Sequence, residues 1–574
     1  MSLSLIVGPP NSGRAGEIHT SLEAALDRDP VLVVPTLDDA HRFERDLCIQ
    51  SQAHGAGDAA VVGASIRTFR PFTDEIAAAT GAGLRPLLSD AQRLALVRSA
   101  VRQTELRALS GSAARRGFAP ALERLIGELQ AALVAPGELT NAAAELEDGA
   151  YESELARLYA AYVERREAAG RDDPHSSVRK VATSLRDGAD RWGSRPVLLY
   201  GFDDLTEEQL ELVAALAGAT DVTVAVNYED REALVARSVL LARLREELGG
   251  AVLTKLPFDE GYTESATLRH LDRHLFEAGA SRIEPDEGIA LLECGGERGE
   301  AEAVGGEVAR LLAAGVPAGD IAVVLRQPER RGPLFGRVFA GFGIPVAVEA
   351  SVPLARTAAG RGLVALAHAS LPEGSGGELL AFMRARPGEP QGIGDWVERS
   401  LLRGHARTAD ELIAGWEAPP WMLAGLREAR PGSEWLRVLA AVAHELAVEA
   451  HAGREPVDDR LPGTGREDPV PFAPLELRAA AAAAATLTDL AELVAMPGCP
   501  APSPAEALEL LEEVRVPLWR GPTEGRVRVL SRAASAPRHR GARAARRGDR
   551  GALPVPRLRE PPDRAPVALL AELR

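Results

Sequence analysis

Short apolar runs alternate with amphipathic segments along the first part of the chain. Residues 3–7 and 31–34 are continuous apolar runs that predict buried strands, and 60–62 is a third strand candidate. Helical spacing of apolar residues follows the first two runs, at 17–27 and 37–50. Strand, turn and helix repeating at this pace are typical of βαβ units with a parallel sheet.

The pattern then becomes helical and later returns to strands. Residues 89–185 form successive amphipathic stretches, of which 118–134 and 151–169 are the most regular. Strand candidates resume at 196–200 and 222–226. This order predicts a helical insertion within a sheet domain.

A second α/β unit is predicted to begin at the apolar run 289–293 and to continue through strands at 320–325 and 344–348. Residues 358–515 are mostly helical and rich in Ala and Leu. A last strand candidate, 526–530, precedes an Arg-rich tail. The helical part holds three tryptophans that pack in a core or form a stacking surface for bases, Trp416, Trp421 and Trp435.

Composition narrows the class of protein. The chain has 574 residues, of which 46% are hydrophobic and 26% charged, so collagen-like, disordered and small disulfide-linked proteins are excluded. A net charge of −17 argues against a polybasic coat for nucleic acid but permits a local basic cleft. The three cysteines show no C-x-x-C spacing, which fits a reducing cytosol and predicts no metal site. No apolar run reaches the ~18 residues of a membrane span.

The first strand is followed by a glycine-rich turn with the spacing G-x-x-x-x-G-[K]-[S/T], the arrangement of a phosphate-binding loop. Backbone N–H groups and a helix N-terminus in such a loop face phosphate oxygens. Arg14 takes the place of the lysine, and Ala15 lacks the hydroxyl that binds Mg²⁺. The candidate nucleotide-binding residues are Gly8, Asn11, Ser12, Gly13, Arg14 and Ala15. A glycine-rich turn that binds no ligand is the alternative.

The order of these features resembles a UvrD/Rep-like superfamily 1 helicase core. More closely, it is similar to the B-subunit family of the AddAB-type ATP-dependent helicase/deoxyribonucleases. The matching segments are 31–40, 66–72, 198–213, 296–326, 341–346 and 352–363, with a further match at 516–531. The resemblance implies an α/β fold with two RecA-like P-loop domains, parallel sheets and large helical insertions.

The counterpart of helicase motif II departs from the family pattern D-E-F-Q-D-T-N-x-x-Q. Aligning Phe202 with the Phe of that motif puts Tyr200 and Gly201 where the Mg²⁺-binding Asp and the catalytic Glu belong. The lysine and the hydroxyl are missing from the loop, and the Asp-Glu pair is missing from motif II. These three losses indicate a degenerate ATPase.

The same alignment leaves three polar candidates for catalytic work, Asp203, Asp204 and Gln209. The two aspartates bind a metal only if the turn shifts, and otherwise lie in a solvated loop or at a helix start. Thr206 is placed to cap the helix that follows. No metal site is assigned.

By resemblance, single-stranded DNA lies across both RecA-like domains, and Thr36, Thr68, Phe69 and Arg326 are the candidate contacts. A hydroxyl bonds a phosphate and an aromatic ring stacks a base. The alternatives are a core role for Phe69 and a plain surface role for Arg326.

The resemblance further implies a function and its partners. The expected function is a DNA-binding subunit of a helicase/nuclease that processes double-strand DNA ends for recombinational repair. It is expected to pair with an A-type helicase/nuclease subunit, with ATP and Mg²⁺ as cofactors of the family, in the bacterial cytoplasm and at the nucleoid. Neither a PD-(D/E)XK nuclease motif nor the cysteines of an iron–sulfur cluster are present, so this chain alone is not expected to cut DNA.

The predicted domain order is a first RecA-like domain in two parts (1–88 and 186–285) around a helical insertion (89–185), a second one in two parts (286–357 and 516–531) around another insertion (358–515), and a tail (532–574). Residues 1–531 hold 55 basic and 79 acidic residues, net −24, whereas the tail holds 11 arginines and four acidic residues, net +7. The tail is interpreted as a frameshift or truncation product, a disordered nucleic-acid-binding tail, or an ordered element.

Two other functions stay open on the sequence alone. One is an active ATP-dependent DNA helicase with divergent motifs. The other is an interaction scaffold or a non-functional fragment.

Overall fold

The computed structural model describes residues 2–53, 64–372, 374–385, 391–404, 407–414, 421–451, 473–497, 499–521, 523–531 and 568–570. These residues form two compact units. The first unit comprises 2–53, 64–84 and 175–295, and the second comprises 85–174 and the described residues from 296 onward.

The strands are, in chain order, β1 (Leu3–Gly8), β2 (Val31–Val34), β3 (Ser65–Thr68), β4 (Val197–Leu199), β5 (Val222–Asn227), β6 (Ala251–Lys255), β7 (Ala322–Leu325), β8 (Val346–Val348), β9 (Ser351–Pro353), β10 (Arg515–Pro517), β11 (Val527–Ser531) and β12 (Ala568–Leu570).

The helices are, in chain order, α1 (Arg14–Glu23), α2 (Leu37–Ala53), α3 (Phe69–Thr80), α4 (Asp90–Gln103), α5 (Ser110–Ala113), α6 (Phe118–Ala131), α7 (Pro136–Ala144), α8 (Ala150–Ala168), α9 (Pro174–Asp187), α10 (Glu207–Ala219), α11 (Ser238–Ala242), α12 (Ala266–His274), α13 (Gly296–Ala313), α14 (Pro328–Gly341), α15 (Ala358–Ser370), α16 (Gly376–Ala385), α17 (Gln391–Leu402), α18 (Ala409–Ala414), α19 (Trp421–Glu428), α20 (Ser433–His451), α21 (Ala473–Val494) and α22 (Pro504–Glu513).

The first unit is built on a six-stranded sheet in the order β3-β2-β4-β5-β1-β6, in which every neighbouring pair is parallel. Because side chains alternate along a strand, Leu5 and Ile6 point to opposite faces. The Leu5 face packs against Phe72 and Trp192, and the Ile6 face packs against helix residues such as Phe43. Both faces of the sheet are therefore covered, as a parallel sheet requires.

The second unit combines helices from two distant parts of the chain. Helices α4, α6 and α8 share a hydrophobic core with Leu493 of α21 and with Cys499, which follows that helix. Polar contacts tie the same parts together: the Gln92 amide donates to the Asp489 carbonyl at 2.7 Å, and Arg98 pairs with Glu509 at 2.7 Å. The helices of 89–174 and of 358–515 thus pack as one body.

A small sheet completes the second unit. Its order is β12-β7-β11-β8 with parallel pairing, and β9 pairs with β10 as a separate antiparallel ladder. In this sheet Val323, Val529 and Ala347 are fully buried. The α/β class with parallel sheets and helical insertions is confirmed.

One strand prediction is wrong, and another falls outside the described residues. Residues 289–293 form no strand; Leu291 is 78% exposed, and no described strand pairs with this run. A strand gains its stability through a ladder partner, so an apolar run alone is a weak signal. The candidate at 60–62 lies outside the described residues. The tail's residues are also outside them, except for β12, which pairs with β7.

Candidate functional site

Most of the predicted site residues lie at one edge of the first sheet. The loop after β1 starts beside the end of β5, since Gly8 is paired with Asn227. The turns after β2 and β3 meet in the same way, because Val34 is paired with Thr68. Carboxyl ends of parallel strands are where α/β proteins bind ligands. The structure therefore brings together the loops after β1 to β5, whereas Arg326 follows β7 in the second unit and is exposed.

The loop between β1 and α1 has the backbone of a tight strand-to-helix turn. Asn11 and Gly13 adopt left-handed conformations, with φ of 56° and 79°, and α1 begins at Arg14. Glycine takes this conformation without a Cβ penalty, and asparagine tolerates it. The sequence spacing predicts this turn correctly.

The side chain of Arg14 turns back onto its own loop. Its Nε donates to the Pro9 carbonyl at 3.3 Å, and the side chain is half-buried. Burial lowers the pKa of Arg14 below its ordinary value; the nearby Tyr200 and Asp203 oppose this shift, and Arg237 reinforces it. A guanidinium held in this way is engaged with its own chain rather than extended from the loop.

Other parts of the loop are also engaged by the first unit. The Asn11 amide donates to the Asp272 carboxylate at 3.0 Å, and the Asn11 carbonyl accepts from the Asp259 N–H at 3.2 Å. The buried Ser12 hydroxyl lies so close to Gly8 that a Cβ atom there would collide with it. Within the described residues this hydroxyl has no hydrogen-bond partner. The loop is thus held by its own side chains and by the segment after β6.

The turn after β4 carries no carboxylate at the two positions that matter for motif II. Tyr200 donates its backbone N–H to Val33 at 3.0 Å, and its ring meets Phe43 edge-on at 5.0 Å. Gly201 has a φ of 86°, and a Cβ there would lie 3.1 Å from Pro35. An aromatic ring and a glycine therefore occupy the positions that a Mg²⁺ ligand and a water-activating group would need.

The three candidate catalytic residues have other partners in the structure. Asp203 pairs with Arg237 at 2.6 Å, and Asp204 accepts from the Leu205 N–H at 2.9 Å. Gln209 forms a capping box with Thr206, in which each side chain bonds the backbone N–H of the other at 3.3 and 3.0 Å. Thr206 caps α10 as the sequence predicts.

The candidate DNA contacts of the first unit differ in whether their side chains are already bonded or packed within the chain. Thr36 donates its hydroxyl to Asp39 at 2.6 Å and accepts the Asp39 N–H at 3.1 Å, so it caps α2. Thr68 precedes α3 without a capping bond from its side chain. Phe69 is half-buried and meets Phe202 edge-on at 6.4 Å, so one part of its ring packs and another part is accessible.

Sequence reasoning missed two groups beside the loop. Asn227 ends β5 next to Gly8, and within the described part of the chain its buried Oδ1 has no partner. A polar residue at the end of the apolar run VTVAV was the available signal. Arg237, the partner of Asp203, ends the 3₁₀ helix Glu232–Arg237, which no pattern in the sequence reveals.

A Mg²⁺–nucleotide does not fit the residues at this edge. Ala15 offers no hydroxyl, Tyr200 and Gly201 offer no carboxylate, and Arg14 bonds its own loop. Within the described residues there is no cluster of three or more His, Cys, Asp or Glu side chains able to hold a metal ion. Nor does any described helix have the length and apolar character to cross a membrane.

The fold and the loop define a class of protein. It has a parallel α/β sheet and the turn of a phosphate-binding loop, but it lacks the two carboxylates of motif II. Residues 5–239 match the family model described as "ADDB, N-terminal". The resemblance to the B subunits of AddAB-type enzymes is therefore confirmed, and it is carried mainly by the first unit and by the helices 90–174.

Three curated relatives are named as the B subunit of an ATP-dependent helicase/deoxyribonuclease. The protein of Pelotomaculum thermopropionicum is 25% identical over 386 residues, which cover 62% of this chain and 33% of the relative. Those of Desulforudis audaxviator and Geobacillus kaustophilus are each 26% identical, over 62% of this chain and 32% of the relative. The chain spans about a third of the length of these relatives.

Proposed function

We propose that the chain is a DNA-binding subunit of helicase fold that acts in an ATP-dependent helicase/nuclease but does not hydrolyse ATP itself. The observation that carries this proposal is the edge of the first sheet, where Arg14 bonds Pro9 and where Tyr200 and Gly201 stand in for carboxylates. The similarity to the B subunits of helicase/deoxyribonucleases supports the assembly.

Phosphoryl transfer in P-loop enzymes depends on positioned charge rather than on covalent chemistry. A lysine and a hydroxyl-bound Mg²⁺ neutralise the phosphates, and a polar group orients the attacking water. Here Arg14 is a wide, planar cation that is already bonded, and Ala15 is apolar. Asp203, the nearest carboxylate in the following turn, is neutralised by Arg237.

The assembly that this proposal requires has a second subunit as its motor. An A-type subunit with an intact phosphate-binding loop would use ATP and Mg²⁺, and this chain would contact the DNA. The substrates are single-stranded DNA and the ends of double-stranded DNA, processed for recombinational repair. In the cell we expect the complex in the bacterial cytoplasm, at the nucleoid.

Two described residues of the first unit suit a single strand. The Thr68 hydroxyl is not used to cap α3, so it can donate to a phosphate, and the half-buried Phe69 can stack a base. The exposed Arg326 can neutralise a phosphate. Since the chain as a whole has a net charge of −17, affinity for DNA rests on a few such contacts.

A salt titration of single-strand binding tests this proposal. Each phosphate that an arginine such as Arg326 neutralises is expected to lower the affinity for a labelled oligonucleotide about threefold between about 50 and about 200 mM salt. Arg326→Ala should lower the affinity and the salt slope, whereas Arg42→Ala, an exposed arginine of α2, should change neither. Binding that is absent at low salt would refute the proposal.

A further inference from the structure

A half-exposed tryptophan lies in a cluster of arginines in the second unit. Trp519 follows β10, and the guanidinium of Arg526 stacks over its ring at 4.3 Å from the ring centre. Arg520, the residue after Trp519, is exposed, and Arg478 of α21 donates a hydrogen bond to the backbone carbonyl of Pro517. We call these four residues the Trp519 cluster.

Hydrogen bonds from the half-buried Arg478 hold the backbone directly before Trp519. Arg478 donates from Nε to the Pro517 carbonyl at 2.9 Å and from a terminal nitrogen to the Leu518 carbonyl at 2.6 Å. The Leu518 N–H in turn donates to Ala350 at 2.8 Å. The backbone that leads into Trp519 is therefore tied to α21 and to Ala350.

The indole N–H is satisfied within the chain, and Trp519 is partly exposed. Its Nε1–H donates to the Gly521 carbonyl at 3.2 Å, so the ring needs no further hydrogen-bond partner. Trp192 and Trp435, by contrast, are buried at 2% and 4% exposure. A half-exposed indole capped by a guanidinium offers a flat, sequence-tolerant surface on which a nucleobase can stack.

The segment that carries the indole has a positive net charge in a chain that is strongly negative. Residues 515–526 include three arginines and one glutamate, whereas the chain as a whole has a net charge of −17. Burial lowers the pKa of Arg478, and the neighbouring positive charge of Arg520 lowers it further. The two guanidinium groups thus repel each other, and a bound phosphate would relieve that repulsion.

The cluster is separate from the predicted strand contact of the same unit. Arg326 follows the carboxyl end of β7, whereas Arg526 directly precedes the amino end of β11. Because β7 and β11 are parallel neighbours, these residues lie at opposite edges of one sheet.

We propose that the Trp519 cluster is a second binding site for single-stranded nucleic acid, in which a base stacks on the Trp519–Arg526 pair and Arg520 neutralises a phosphate. This inference rests on the proposed DNA-binding function and adds a site to it. Recognition is independent of base identity, because the contacts are to a ring face and to the backbone.

Binding of a labelled oligothymidine to the full chain, followed by fluorescence anisotropy, tests the site. Trp519→Ala is expected to weaken binding at least about fivefold, since a stacked base contributes ~1–3 kcal/mol. Trp519→Phe should keep most of the affinity because it keeps a ring. Arg520→Ala should reduce the salt slope by about 0.7, the value for one phosphate on a single strand.

Matched controls separate this site from general effects. Tyr151→Ala removes another exposed ring of the second unit, and Arg298→Ala removes another exposed arginine; neither should change binding. Thermal unfolding of each variant verifies its fold, and Arg520→Ala, which removes an exposed side chain, keeps the test decisive if Trp519→Ala unfolds.

The outcomes are distinguishable. If the wild-type chain binds no single strand, the proposed function fails together with the site. If the wild-type chain binds and the Trp519 and Arg520 variants match it, the site alone is refuted. Competition by poly-glutamate as effective as that by oligothymidine would mark the cluster as a dock for acidic protein and overturn the proposal.

Discussion

A buried ion pair in the second unit gives a prediction whose size follows from the structure. Arg166 of α8 donates to Asp173 at 2.8 Å, and their side chains are 9% and 0% exposed. Asp173 also accepts from the Tyr162 hydroxyl at 3.1 Å and from the Gln130 amide at 2.9 Å. Burial raises the pKa of Tyr162 well above its usual value, and Asp173 adds to the shift, so the phenol remains a donor.

The perturbation is Arg166→Met, which keeps an unbranched apolar side chain and removes the guanidinium with its charge. At 2.8 Å the attraction between the charges is about 6 kcal/mol for an effective dielectric constant near 20. Breaking a buried pair by removing one partner costs roughly 3–5 kcal/mol, because the remaining charge is left uncompensated. We therefore expect Arg166→Met to lower the local opening free energy of the helices around Asp173 by roughly 3–5 kcal/mol.

Amide hydrogen exchange of the full chain measures the local opening free energy of residues 118–174 directly. The control is Asp90→Asn, which breaks the Arg93–Asp90 pair at 2.9 Å, where Asp90 is 99% exposed, and should cost less than about 1 kcal/mol. Adding Asp173→Asn to Arg166→Met should recover part of the loss, since the buried carboxylate that lost its partner is then removed. Equal costs for Arg166→Met and Asp90→Asn would show that the buried pair contributes no more to stability than the exposed one.

Two further predictions concern the helix cap and acid stability. Thr206→Ala removes one half of the capping box of α10 and should cost ~1 kcal/mol in urea unfolding, whereas Thr206→Ser should cost much less. Glu154 accepts three backbone N–H groups from 107–109, which lower its pKa although burial opposes the shift. Because the folded pKa lies below the unfolded value of about 4.3, Glu154 stabilises the fold above that pH, and this contribution is lost as pH falls through the folded pKa. Urea midpoints of wild type and Glu154→Gln should therefore converge on acidification, and a constant gap would contradict the assignment.

Local patterns predicted the elements that form around their own residues. The runs at 3–7, 31–34 and 222–226 are strands, because continuous apolar sequence of that length suits a sheet covered on both faces. Thr206 and Gln209 carry the capping box in the sequence itself. The turn at Gly13 was likewise visible, since its spacing is local.

Long-range pairing was not visible in the sequence. The run at 289–293 is apolar enough for a strand, yet strand formation depends on a neighbour that no local pattern specifies. The polar partners of the candidate site residues are also distant from them in the sequence. Asp272 reaches Asn11 from 261 residues away, and Arg237 reaches Asp203 from another turn. Sequence alone therefore identified the loop but not the contacts that hold it.

The tryptophans also show what the sequence could not predict. Trp435, considered as a stacking candidate, is buried in the core of the second unit. Trp416 lies outside the described residues. Trp519, which stands in a short stretch between two strands, became visible as a candidate only through its contact with Arg526.

The proposed function requires that the edge of the first sheet does not support ATP hydrolysis. Phosphate release by the purified chain, measured with ATP, Mg²⁺ and saturating single-stranded DNA, decides whether it does. We predict release at the level of the protein-free reaction for the wild type and for Arg14→Ala alike. DNA-stimulated release by the wild type that Arg14→Ala abolishes, while Arg42→Ala retains it, would show that this edge does hydrolyse ATP.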